Sequence, residues 1–200
     1  MHNSRILKSL SLGAIVSSVV ITSLLHSLPA QAERADREKP VRILADFAPM
    51  DDKNKTMTLQ GNVKITQGTL VILANKAIVT QDAEGFQVAV AIGGEGGLAR
   101  LQQKREGKDE MVYAEGERIE YDARTQKAVL IKRSWIRMGV NEACADRIEY
   151  DAVTEAYQSR GGSKTGDQVE IILPGKSAQS APAAANPAAP SSAIVCERKK

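Results

Sequence analysis

The side chains that carry covalent chemistry in proteins are few here and poorly arranged for it. The two histidines, His2 and His26, both fall in an N-terminal stretch with the pattern of a removable leader. From Glu33 onward there is then no imidazole for a Ser-His-Asp or Cys-His relay, and no histidine to hold zinc. Cys144 and Cys196, the two cysteines, match no zinc spacing. An oxidising compartment permits a disulfide, but with Cys196 in a tail of low complexity the expectation is no native bridge. Gly94-Glu95-Gly96-Gly97-Leu98-Ala99 fits G-x-G-x-x-A without the strand–helix setting a dinucleotide needs. Gly161-Gly162-Ser163-Lys164-Thr165 lacks the glycines of a phosphate loop. The carboxylates Glu117, Glu120, Glu149 and Asp151 alternate with Arg118, Lys127 and Arg147, which describes a solvated face better than a glycosidase pair. The expectation is a protein with no catalytic residue, no metal and no cofactor.

What these side chains sit on is a repeat. Arg118-Ile119-Glu120-Tyr121-Asp122-Ala123 recurs without change at 147–152, 29 positions later. Looser copies stand at 43–48 and 72–78. Leu59 to Ile65, followed by Gln67-Gly68, corresponds to Leu130 to Ile136, followed by Met138-Gly139, at an offset of 71. Repeats of this kind point to a duplicated supersecondary unit. Lys132 stands where the second copy should carry the Gly61 glycine, so that turn is expected to differ.

Inside each unit the period is two. Met57, Leu59, Gly61, Val63 and Ile65 alternate with Thr58, Gln60, Asn62, Lys64 and Thr66, the pattern of a half-buried strand. Asp51-Asp52-Lys53-Asn54, Asp82-Ala83-Glu84-Gly85 and Gly161-Gly162 are turn chemistry at strand spacing. Leu98 to Glu106 has some helix propensity, but the repeat favours strand and loop. Ten or more short strands in one domain predict an all-β sandwich, barrel or jelly roll. By phase, Val41, Ile43, Val63, Ile65, Leu70 and Ile72 share the inward side, joined in the second half by Ile119, Tyr121, Trp135, Ile148 and Tyr150. With only seven aromatics after the leader, this lining is aliphatic. It suits either an ordinary packed core or an apolar groove for acyl chains.

The flanks bound the domain. Arg5 and Lys8, an apolar run from Leu10 to Leu25 and the small-residue site Ala30-Gln31-Ala32 read as a secretory signal peptide over 1–32; the alternative is an uncleaved membrane anchor. Without Arg5 and Lys8 the chain has 25 basic against 24 acidic side chains, a balance that gives no reason to expect nucleic acid. Residues 33–38 are expected to be a flexible lead-in and 39–175 the folded domain. The Ala/Pro/Ser-rich 176–200 is expected to be disordered, because it buries too little apolar surface to offset its ordering entropy.

Pro40-Val41-Arg42-Ile43, the block Gly61-Asn62-Val63-Lys64-Ile65-Thr66-Gln67-Gly68-Thr69, Ala74-Asn75-Lys76 and the repeated Ile-x-Tyr-Asp together resemble the OstA-like family of lipopolysaccharide-transport proteins. The resemblance runs from about Lys39 to Leu173. It implies a V-shaped antiparallel β jelly roll, open at both ends, that lies in the periplasm. In that fold the eleven inward residues named above are the implied contacts to lipid A acyl chains. It also implies head-to-tail stacking through strand edges, with Val41, Ile43 and Phe47 on the upstream edge and Val169 and Ile171 on the downstream one. The implied partners are lipopolysaccharide, further copies of the chain, the inner-membrane subunit LptC and the outer-membrane translocon LptD. Other readings are an inner-membrane-anchored subunit of the same export complex, and a structural β adaptor that binds no lipid.

Overall fold

A computed structural model describes residues 34–83, 85–95, 97–163 and 168–173. Residues 1–32, read as a signal peptide, and 176–200, read as disordered, lie outside the described residues. Twelve strands follow a 3-10 turn at Arg34–Glu38. They are β1 (Arg42–Leu44), β2 (Met50–Asp51), β3 (Thr56–Gln67), β4 (Leu70–Asp82), β5 (Gly85–Ile92), β6 (Ala99–Lys104), β7 (Met111–Gly116), β8 (Arg118–Asp122), β9 (Lys127–Met138), β10 (Asn141–Asp151), β11 (Ala156–Arg160) and β12 (Glu170–Ile172). All pair antiparallel, in the order β1-β3-β4-β5-β8-β9-β10-β11, with the remaining strands branching from it. Apart from that turn the described residues are all-β, as expected, and Ala99–Lys104 is strand rather than helix.

The branching has a simple cause. Four long strands each pair with two different sets of neighbours along their length. The first part of β4 pairs with β6 and the second with β5. Likewise β9 meets β8 through residues 127–131 and β7 through 135–138. The sheet is therefore folded over itself along a corner. One layer contains β1, β6, β7 and β12; the other contains β2, β5, β8 and β11; β3, β4, β9 and β10 run through both.

At the corner, β3 places two residues, Gly61 and Asn62, between its pairs to Lys76 and Ala74. Such a bulge bends and twists a strand. Gly61 (φ 73°) and Asn62 (φ 45°) are both left-handed. In the second copy Lys132 (φ 60°) and Arg133 (φ 48°) adopt the same pair of conformations. The expectation of a different turn at Lys132 was wrong: the fold imposes the left-handed state there and a lysine accepts it, at a cost glycine would avoid.

The hairpin turns repeat as well. Asp122 Oδ1 accepts the backbone N–H groups of Arg124 (2.8 Å) and Thr125 (3.0 Å), and Asp151 Oδ1 accepts those of Val153 and Thr154, both at 3.0 Å. Asp51 makes the same pair of bonds with Lys53 and Asn54. Each turn ends in a left-handed non-glycine residue, Lys55, Gln126 or Glu155. These backbone donors hold all three carboxyls below the usual aspartate range, with the bonds from Asn54, Thr125 and Thr154 the largest cause.

Two further expectations meet differences. Residues 34–38, read as a flexible lead-in, form a 3-10 turn tied down by Asp36, whose carboxylate accepts Thr69 N–H (2.7 Å) and Lys39 Nζ (2.6 Å). Gly68 lies so close beneath that an added Cβ would collide with this carboxylate. Cys144 is disulfide-bonded, against the expectation of no bridge; the chain's other cysteine, Cys196, lies outside the described residues. No helix among the described residues is long and apolar enough to cross a membrane.

Candidate functional site

The inner faces of the two layers make one aliphatic surface. In β3 the bulge keeps the phase, so Leu59, Val63 and Ile65 all point inward. In β9 the equivalent Leu130, Ser134 and Ile136 keep phase in the same way. By contrast β4 and β10 change phase at the corner: Leu70 and Ile72 give way to Ala77 and Val79, and Ala143 to Ile148 and Tyr150. A strict alternation read through Asn75 or Asp146 would put half of each strand on the wrong side.

Ten of the eleven residues expected on this surface are there. Val63, Ile65, Leu70, Ile72, Ile119, Tyr121, Ile148 and Tyr150 are buried in one cluster, and Val41 and Ile43 pack against it partly exposed. Trp135 is the exception. It corresponds to Lys64 in the first copy, on the opposite parity from Ser134 and Ile136, and so lies on the outer face. Its indole N–H donates to Glu142 Oε2 (2.9 Å), and the Arg137 guanidinium sits 5.6 Å from the indole ring and 4.8 Å from that of Tyr113. The inward expectation for Trp135 is thus corrected: β9 holds it one residue out of step with Ser134 and Ile136.

Along the corner the inner surface is closed to water: Ile65, Ile72, Ile119, Leu130 and Ile148 are all fully buried. Opposite the corner the two layers have free rims, and these form a mouth. Its two halves differ. Over Tyr150 the rims are joined. Arg105, after β6, makes a two-point contact with Glu155, in the β10–β11 turn (Nε–Oε1 3.1 Å, Nη2–Oε2 2.8 Å). Lys108 reaches the same carboxylate (2.7 Å), and Glu110 accepts from Arg105 Nη1 (2.6 Å). The Arg105 bond holds the Glu155 carboxyl below the usual glutamate range, and Glu155 in turn raises Arg105.

The other half of the mouth lies toward Tyr121. A cleft of about 540 Å³ opens there between the 3-10 turn and the ends of β4, β5 and β8. Phe86, which lines it, stacks on Tyr121, ring centroids 6.4 Å apart. Burial pushes both tyrosine hydroxyls up to about 12, so the phenols stay neutral and the surface beneath them carries no charge at physiological pH.

The strand edges expected to meet partners are exposed backbone. Leu44 and Phe47 are exposed beside β1 and β2, with Phe47 held only by a bridge to Gln60. At the other end Ile171 is exposed on β12, and Val169 sits half-buried just before it. The Arg105–Glu155 contact and the Asp36 anchor were not foreseen. Each joins residues more than 30 positions apart, and nothing local marks them.

Comparison with known proteins adds the following. A family described as LptA/(LptD N-terminal domain) LPS transport protein matches residues 42–156. The lipopolysaccharide export system protein LptH of Pseudomonas aeruginosa is 31% identical over 168 residues, covering 80% of this chain and 93% of that protein. The lipopolysaccharide export system protein LptA of Escherichia coli K12 is 28% identical over 165 residues, covering 82% and 85%. A crystal structure of LptH, described as the LptA-homologous periplasmic component of the lipopolysaccharide transport device of P. aeruginosa, superposes with a TM-score of 0.63 at 27% identity, over 70% of this chain and 99% of that one.

Proposed function

The chain belongs to the LptA/(LptD N-terminal domain) family of lipopolysaccharide transport proteins, and on that premise we propose that it carries lipopolysaccharide through the periplasm with the acyl chains held between its two layers. The observation that carries the reading is the uncharged aliphatic inner surface that both halves of the repeat contribute to, with a cleft at its edge beside Phe86. Moving a lipid through water exposes its tails at about 0.8 kcal/mol per CH₂, so a twelve-carbon chain sheltered here saves about 10 kcal/mol. The inner surface is close-packed, so the tails enter by parting the layers about the corner, trading protein–protein contacts for protein–lipid ones. No bond is made or broken, and no enzymatic step is needed.

Bridging the two membranes follows from the edges. The β1 side of one copy adds to the β12 side of the next by strand augmentation. The end copies meet LptC at the inner membrane and LptD at the outer. Proline at position 43 spoils β1 for such pairing. Ile43→Pro is expected to shift crosslinked oligomers to monomer on size exclusion while the monomer stays folded; unchanged association refutes the edge arrangement.

The test of carriage is extraction of lipid from the chain purified from the periplasm, read by mass spectrometry. Bound glycolipid is the expected result. A chain that assembles with its partners yet yields none is a structural adaptor. A mature N-terminus at Glu33 excludes the anchored subunit.

A further inference from the structure

The cleft over Tyr121 has a chemistry of its own. Its floor is apolar, formed by Val41 and by Phe86 on the Tyr121 stack. Its walls carry the amides of Gln81 and Gln87, neutral groups that both donate and accept hydrogen bonds. Three cations and the carboxylates of Glu38 and Asp82 line the cleft, the cations in different states. Lys39 is engaged by Asp36, and Arg124 by Asp82. Arg37 is exposed and enters no ion pair among the described residues. It lies near enough to the Tyr121 phenol for its charge to act on it. The main chain that carries Arg37 is fixed, because the Gln67 amide donates to the Arg37 carbonyl (2.9 Å) and Asp36 pins the same turn to Thr69.

An exposed guanidinium beside amides and an apolar floor matches an amphiphile with an anion outermost, a sugar beneath it and a hydrocarbon below. Guanidinium forks fit phosphate oxygens in particular. The other half of the mouth is bridged by Arg105 and Glu155, and the cleft lies in this half. We propose that the cleft seats the phosphorylated sugar headgroup of the carried glycolipid, with Arg37 as its phosphate contact; the assignment rests on the carrier reading above.

The test titrates the full chain with diphosphoryl lipid A and with the same lipid stripped of phosphate, both in mild detergent. Arg37→Gln is compared with Arg160→Gln, which lies far from the mouth. Losing one exposed charge-assisted contact is expected to weaken diphosphoryl lipid binding about three- to tenfold. The stripped lipid should bind both variants as the unsubstituted chain does. Equal loss for both lipids, or no loss for either, overturns the headgroup seat while leaving carriage intact. Saturation by inorganic phosphate at micromolar concentration overturns it too, because the cleft is then a free-anion site. A chain that takes up neither lipid overturns carriage and the seat together.

Discussion

Tyr121 and Tyr150 hold the same place in the repeat, on strands that flank β9, yet the mouth above them is built in two ways. Over Tyr150 an arginine–glutamate fork joins the layers; toward Tyr121 a cleft opens beside a turn hung on Asp36. The strands beneath, β8 and β10, repeat the same six residues from Arg to Ala. The rims do not repeat, because they are set by loops that the duplication left free to diverge. The corner is therefore the part of the molecule that the two copies share, and the mouth is where they differ.

The sharpest way to test that the halves share one framework is to cut the same hole in each. Leu59 and Leu130 are equivalent and fully buried. Leu59→Ala and Leu130→Ala are each expected to cost about 2–5 kcal/mol in urea unfolding. Costs that agree support one cooperative framework; a large gap between them breaks the equivalence.

The next effect concerns the difference. Glu155→Gln leaves Arg105, with a side chain 14% exposed, short of its main partner, and is expected to lower stability by about 1–3 kcal/mol. It should also speed hydrogen exchange in the 105–110 hairpin while leaving the Asp36 turn unchanged. The pH sign follows from Glu155, whose carboxyl is lowered from 4.5 in the fold. Its contribution is present above the unfolded value and is lost as pH falls through the lowered one. Thermal melts of the parent and of Glu155→Gln should therefore converge below pH 4.5 and separate above it. A constant gap down to strongly acid pH argues against the fork.

The smallest effect lies at the corner. Lys132→Gly relieves a left-handed lysine and is expected to stabilise by about 0.5–1 kcal/mol. Gly61→Ala acts in the opposite direction, because its Cβ meets the Asp46 carboxylate that accepts from Asn62 Nδ2. Opposite signs at equivalent sites show that the fold dictates the conformation and the residues only tolerate it.

Much of this was legible in the sequence. The identical 118–123 and 147–152 segments and the rhythm of 57–65 announce strands, and the bulge at Gly61 preserves that rhythm, so β3 reads correctly throughout. Legibility ends where the physics is not local. The phase changes at Asn75 and Asp146 leave no mark in residue type. Trp135 looks like core because indoles are usually buried, and here it is buried on the outer face beside Arg137 and Glu142. Lys132 gives no hint of a left-handed backbone. The fork at 105 and 155, and the Asp36 anchor on Thr69, depend on two rims meeting in space.

The central claim is that lipid tails lie against the inner surface and nowhere else. A photocrosslinking side chain placed in turn at Ile72 and Ile148, which face inward, and at Lys64 and Trp135, which face outward, tests it directly in cells exporting lipopolysaccharide. Glycolipid adducts at the first two positions and none at the second two are the expected outcome. Adducts at Lys64 or Trp135 equal to those at Ile72 would contradict it, because the lipid would then be travelling along the outside of the sheet.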